Sequence, residues 1–143
     1  MRKLIIIITI LIIANMASAQ NFNPQKLPKE VKKAFNEKYT DAENAIWTLK
    51  SETIYYVNFL SKSKIHTASY NQLGVWLETR IGLKDSDLPT AVLKSVKKDY
   101  SSSTIKEVYK IEKPESTIVF EINLFEGESS SVIMMNANGE KIN

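Results

Sequence analysis

The chain has 143 residues, of which 43% are hydrophobic and 24% charged, and it contains no cysteine. That balance suits a globular protein and excludes one disordered along its whole length. The missing cysteine excludes disulfides, thiolate chemistry and anchoring through a lipidated cysteine.

Arg2 and Lys3 precede an apolar run from Leu4 to Ala14, and Ala17-Ser18-Ala19 follows. A cationic start, a short apolar stretch and a small-residue cleavage site predict a signal peptide over residues 1–19. A membrane-spanning helix needs about 20 apolar residues, and Asn15 and Ser18 break this run too early. The expectation is an exported protein, periplasmic or secreted, with no stable membrane insertion after cleavage. Cleavage before Gln20 leaves 124 residues and removes two cations, so the net charge falls from +3 to +1. A nearly neutral chain has no strong electrostatic pull toward nucleic acid or anionic lipid. A mature chain of this length buries enough surface to fold without disulfides.

Gln20 to Lys26 reads as a short polar leader. A first helix is predicted from Pro28 to Tyr39, because Val31, Ala34, Phe35 and Tyr39 fall on one helical face. Proline suits its first turn, where no N–H is needed. Ala45 to Lys50, Tyr55 to Leu60, Ile65 to Tyr70 and Val75 to Thr79 then read as strands. Tyr55, Val57 and Phe59 alternate with Tyr56, Asn58 and Leu60, so the first three face a core and Tyr56 faces away. Asn71-Gln72-Leu73-Gly74 is a turn whose glycine can take a positive φ.

The junction Ile81 to Asp87 reads as a short link, with Asp85, Ser86 and Asp87 placed to cap a second helix from Pro89 to Tyr100. Strands are predicted at Ile105 to Ile111, Phe120 to Phe125, Ser131 to Met135 and Glu140 to Asn143. Lys113 to Thr117 is a lengthened loop, and Asn138-Gly139 is a strong hairpin signal.

The second half repeats the first. Leu27-Pro28 matches Leu88-Pro89 at a spacing of 61, and the two Asn-x-x-Gly turns match at a spacing of 65. The reading is one domain, residues 20–143, built of two tandem α-β-β-β-β repeats, 27–79 and 88–143. The fold class is α+β: an antiparallel sheet with both helices on one face and a shared core.

The L-P-x-x-V start, the helix ending in Tyr39, the aromatic strand and the segment Asn71, Gly74, Trp76, Leu77 resemble the PepSY-like proteins. These are related in fold to the β-lactamase-inhibitor protein and are typical of exported proteins in Bacteroidetes-type bacteria. The resemblance spans about Leu27 to Asn143. It implies a tandem α/β repeat with an exposed sheet face, which in inhibitors of this fold binds a partner protein. It brings no catalytic set. The chain departs from the pattern at Thr40 and Ser101, where the family usually has proline, and at Lys141, which replaces a second tryptophan.

The residues themselves offer little chemistry. His66 is the only histidine, and a catalytic or metal-binding histidine needs partners, so it reads as an ordinary strand residue. No serine sits in a G-x-S-x-G elbow. Asp85-Ser86-Asp87 lacks the glycine and late glutamate of a calcium loop. Glu126-Gly127-Glu128 reads as a polar turn, and no glycine-rich phosphate loop is present. No catalytic residue, metal or cofactor is expected, and the chain reads as no enzyme.

Aromatic residues remain. Trp76 aligns with Lys141, a residue type rarely buried, so Trp76 is expected to look outward with Tyr56 and Tyr109. Exposed Tyr and Trp on a sheet are common anchors of protein contacts. The expected function is a secreted or periplasmic binding module, inhibition being one form of it, that engages an unknown envelope protein or peptide through the exposed sheet face. The alternative is an exported carrier of a small molecule or envelope component, with no catalytic activity.

Overall fold

The computed structural model describes residues 22–142; the predicted signal peptide lies outside the described residues. Two α-helices, α1 (Lys29–Lys38) and α2 (Thr90–Asp99), pack on one antiparallel sheet. Its strands are β1 (Glu43–Ser51), β2 (Ile54–Ser61), β3 (Lys64–Asn71), β4 (Trp76–Leu83), β5 (Thr104–Glu112), β6 (Ile118–Glu126) and β7 (Ser129–Met135). They lie side by side in chain order, each antiparallel to the next.

Each helix starts directly after a Leu-Pro pair. Pro28 and Pro89 occupy the cap positions with nearly identical backbone angles, and their carbonyls accept from Lys32 N and Leu93 N at 3.1 Å. Proline's fixed φ sets the entry angle, and neither helix has a side-chain cap. The capping expected of Asp85, Ser86 and Asp87 is therefore corrected. Those residues form a separate 3-10 turn, and Asp87 accepts from Lys64 Nζ at 2.9 Å instead. That bond, with the Lys84 N–H as a weaker second donor, holds its carboxyl below the usual range.

The strand register fixes which side chains share a face. Pairing connects Phe59, His66, Ile81, Lys110, Phe120 and Met135 into one row across the sheet. Two neighbouring rows, Tyr55–Tyr70 and Val57–Ala68–Thr79–Glu112, lie on the same side. Val31 and Phe35 of α1, and Val92 and Val96 of α2, are buried against this face.

The expected shared core is corrected. Most of the buried apolar residues form two clusters with no common member, one under each helix. Phe35 anchors the first, meeting Trp47, Phe59 and Tyr70 edge-on. Ile122, Leu124 and Met135 dominate the second. Polar residues interrupt the apolar pattern between them: His66 on β3, Thr79 on β4, and Lys110 and Glu112 on β5. The two sides are joined instead through the sheet backbone. β4 runs on to Leu83, and Ile81, Gly82 and Leu83 pair with Lys110, Tyr109 and Val108. Ile81 to Leu83 are thus central strand rather than link.

The two Asn-x-x-Gly turns have the same construction. Asn71 Oδ1 accepts from Leu73 N and Val75 N, and Asn136 Oδ1 accepts from Asn138 N and Glu140 N. Gly74 (φ +79°) and Gly139 (φ +77°) each press on a helix. A Cβ at Gly74 would lie 2.6 Å from the Glu30 carbonyl oxygen, and one at Gly139 2.6 Å from that of Ala91. The fourth strand expected at Glu140 to Asn143 is reduced, among the described residues, to an isolated bridge between Met135 and Lys141. The two backbone bonds of this bridge, Asn136 N to Glu140 O and Ile142 N to Met134 O, are too few for a ladder.

Candidate functional site

The face away from the helices carries the other residue of each alternating pair. Tyr56 on β2 pairs with Thr48 and Ser69, and Tyr109 on β5 pairs with Gly82 and Glu121. Both therefore lie on this open face, as expected for Tyr56. Three strand spacings across and four residues along the strand separate them, about 20 Å. Lys50 Nζ sits 4.9 Å from the Tyr56 ring centroid.

Tyr109 belongs to an ordered cluster at the middle of the sheet. The Arg80 guanidinium carbon stacks 3.8 Å from its ring centroid. Arg80 Nη1 and Nη2 donate to Glu121 Oε2 and Oε1 at 2.9 and 2.6 Å, a two-pronged ion pair spanning β4 to β6. Gly82, directly opposite Tyr109, carries no side chain to compete for this space. The Tyr109 hydroxyl and the Asn123 amide both donate to Glu107. Arg80 is held flat from two sides, which costs little further rotamer entropy on binding. Ile46, Ile65, Phe125 and Val132 lie exposed around this cluster on the same face. Strands of seven to nine residues, seven across, give a face of roughly 800 Å², about one side of a standard protein interface.

Trp76 does not join them. The register slips between Ser69 and Tyr70: Ser69 pairs with Glu78, but Tyr70 pairs with Trp76, so Leu77 is an extra residue in a bulge. A bulge inverts the alternation beyond it. Trp76 consequently turns to the helix face and packs against the α1 cluster. Its Nε1 donates to Thr79 Oγ1 at 2.8 Å, and Lys38 Nζ lies 3.8 Å from its ring centroid. Thr79, fully buried, also bonds the Tyr39 hydroxyl. Burial raises the Tyr39 hydroxyl above the ordinary tyrosine range, with the Thr79 bond opposing it in part. The expectation of an outward Trp76 is corrected.

His66 sits on β3, buried and stacked on Phe59 at 5.2 Å. Its Nδ1 lies 3.0 Å from the Lys64 carbonyl oxygen. Among the described residues no group of three or more acidic, histidine or cysteine side chains is placed to hold a metal. No described helix is long and apolar enough to cross a membrane. Sequence reasoning missed Arg80 and Glu121. Opposite charges 41 positions apart carry no local signal, and only the β4–β5–β6 register brings them together.

Solved structures share this architecture. A BLIP-like protein from Bacteroides fragilis superposes with a TM-score of 0.76 at 20% identity, covering 85% of this chain and 86% of that one. A DUF2874 family protein from Bacteroides uniformis gives 0.76 at 18%, covering 81% and 86%. A structure from Bacteroides eggerthii described as "putative periplasmic proteins" gives 0.75 at 17%, covering 81% and 86%. At such identities the likeness concerns the fold. No curated protein sequence matches the chain. The family model described as "Putative beta-lactamase-inhibitor-like, PepSY-like" matches residues 53–138, more than half of the length. That stretch contains six of the seven strands, the bulge that turns Trp76, and the Arg80–Tyr109–Glu121 cluster, and by this match the chain belongs to the PepSY-like, β-lactamase-inhibitor-like family.

Proposed function

We propose that this chain is an exported binding module that holds a partner protein or peptide on its helix-free sheet face. The observation that carries this reading is the Arg80–Tyr109–Glu121 cluster. Arg and Tyr are the residue types that dominate binding energy when they are pre-ordered at the centre of a surface. Tyr56 and the exposed apolar residues extend the same surface toward both edges. Trp76 has no part in it. The reading assigns no catalytic step, and inhibition of an enzyme is one outcome that such capture would have.

Two further inferences accompany it. The matching Leu-Pro helix starts and Asn-x-x-Gly turns support two copies of one unit, 27–79 and 88–143, joined as one domain. The apolar run and small-residue site before Gln20 support cleavage and export, to periplasm or beyond. N-terminal sequencing of the exported protein is expected to begin at Gln20; retention of Met1 would overturn that part.

The binding reading is tested by capture from envelope extract of the native organism. The mature chain is expected to retain one protein in stoichiometric amount. Tyr56→Ala combined with Tyr109→Ala is expected to lose it while the chain keeps its fold by circular dichroism. Capture that survives the double substitution, or that depends on the helix side, would refute the assignment of this face.

A further inference from the structure

We propose that the cleft on the opposite side, between the two helical halves, is a binding site for a small organic anion. The cleft encloses about 420 Å³, within the roughly 300–1,000 Å³ of ordinary ligand pockets. Its floor is the middle of the cross-sheet row described above. That row is apolar at both ends, Phe59 on one side and Phe120 and Met135 on the other, but holds His66 and Lys110 around Ile81. A sheet face that serves only as core would be apolar there; Lys110 and His66 instead find polar partners at the cleft, Glu112 at 2.7 Å and the Lys64 carbonyl at 3.0 Å. These residues leave room and charge between the two cores.

The charge of the lining selects the ligand. Lys38, Lys62, Lys64 and Lys110 face two carboxylates, Asp41 and Glu112. Glu112 is offset by Lys110 at 2.7 Å, whereas Asp41 accepts only from the neutral Ser61 Oγ at 2.9 Å and keeps its charge, so the cleft holds one cation in excess once Lys64 is paired outside it. Lys64 pairs with Asp87 outside the cleft. Lys38 and Lys62 have no carboxylate partner among the described residues. Lys38 is held over the Trp76 ring, and Lys62 projects from the tight β2–β3 turn, where its φ is +49°. The bond to the Lys64 carbonyl requires a proton on His66 Nδ1, so in the neutral ring Nε2 is an acceptor for a ligand hydroxyl or N–H. The Ile81 and Leu83 side chains supply apolar contact. The fit is a compact molecule with a carboxylate or phosphate group, an apolar body and one hydrogen-bond donor. Lysines, as point charges, favour phosphate over the planar fit that arginine gives a carboxylate.

This site is independent of the open face, and its test is separate. The isotopically labelled protein is titrated with phenyl phosphate, with benzoate and with neutral benzyl alcohol, following backbone amide signals. Saturable shifts confined to His66, Ile81, Lys110 and their neighbours are expected with at least one of the two anions, at a Kd below about 1 mM. The anion that binds more tightly identifies the headgroup. The double variant Lys38→Gln with Lys62→Asn, whose asparagine tolerates the turn's positive φ, is expected to weaken binding about tenfold. Non-saturating shifts, shifts spread over the helix lysines Lys29, Lys32, Lys97 and Lys98, equal shifts with benzyl alcohol, or an unchanged Kd in a double variant that melts like the parent would each overturn the proposal. If the double variant melts early, Ile81→Phe, which narrows the cleft without removing charge, decides in its place: it must abolish the shifts.

Discussion

Truncation of Trp76 separates a structural residue from a binding one. The indole is half-buried, donates to Thr79 Oγ1 at 2.8 Å, and lies under Lys38. Losing the hydrogen bond costs about 1 kcal/mol, because Thr79 keeps its bond to Tyr39. Losing the Lys38 contact costs about 0.5–1 kcal/mol at this exposure. Full burial would add the roughly 3–5 kcal/mol of a core Trp→Ala change, and half-burial about half of that. Trp76→Ala is thus expected to destabilise by about 3–4.5 kcal/mol, and Trp76→Phe, which keeps most of the packing, by about 1 kcal/mol. Urea denaturation followed by circular dichroism measures both, with Tyr109→Ala as the open-face comparison. A loss below about 1 kcal/mol for Trp76→Ala would mean that the indole faces solvent and that the Leu77 bulge does not form.

The glycine turns give a paired test. Gly74→Ala must both adopt φ +79° and meet the Glu30 carbonyl at 2.6 Å, whereas Gly127→Ala, at φ +61°, meets nothing within 4 Å. Gly127→Ala is expected to cost about 1–2 kcal/mol and Gly74→Ala about 1–3 kcal/mol more; equal losses in denaturant would show that the turn does not bear on α1. Tyr70→Phe is expected to be neutral or to stabilise by about 1 kcal/mol, since the buried Tyr70 hydroxyl has no partner. A clear loss of melting temperature would reveal a bond that this hydroxyl makes. Burial raises both Tyr70 and Tyr39 above the ordinary tyrosine value of 10.0. Their contribution is therefore complete below about pH 10 and is lost as pH rises toward the folded values. Melting temperature is expected to fall above pH 10, and less steeply in Tyr70→Phe; a flat profile through pH 11 would contradict it.

How much was legible varies by element, for physical reasons. Both helices could be read from Leu-Pro starts and apolar spacing, because helix amphipathicity is a local property. The Asn-x-x-Gly turns were equally local, each closing its own hydrogen bonds within four residues. The last predicted strand shrank to a bridge because a short segment beside β7 makes only two backbone contacts. At the candidate site, Tyr56 could be placed from simple alternation, since β2 pairs with β3 without interruption. Trp76 was misplaced because its orientation was inferred from its match with Lys141, whereas the bulge at Leu77 turns the indole to the helix face, and nothing at Leu77 itself announces a bulge.

The amino-acid sequence by itself determined the family, the two helices, the antiparallel strands and the face that Tyr56 occupies. These follow from side-chain periods of 3.6 and 2 and from local turn chemistry. Only the tertiary structure decided the rest. Pairing β4 with β5 merges the halves into one sheet while leaving their cores apart, which opens the lysine-lined cleft between them. The same pairing carries Arg80 onto Tyr109 and into reach of Glu121, 41 residues away. Such contacts depend on strand register, which is settled by the competition of many long-range pairings rather than by any local stretch of chain.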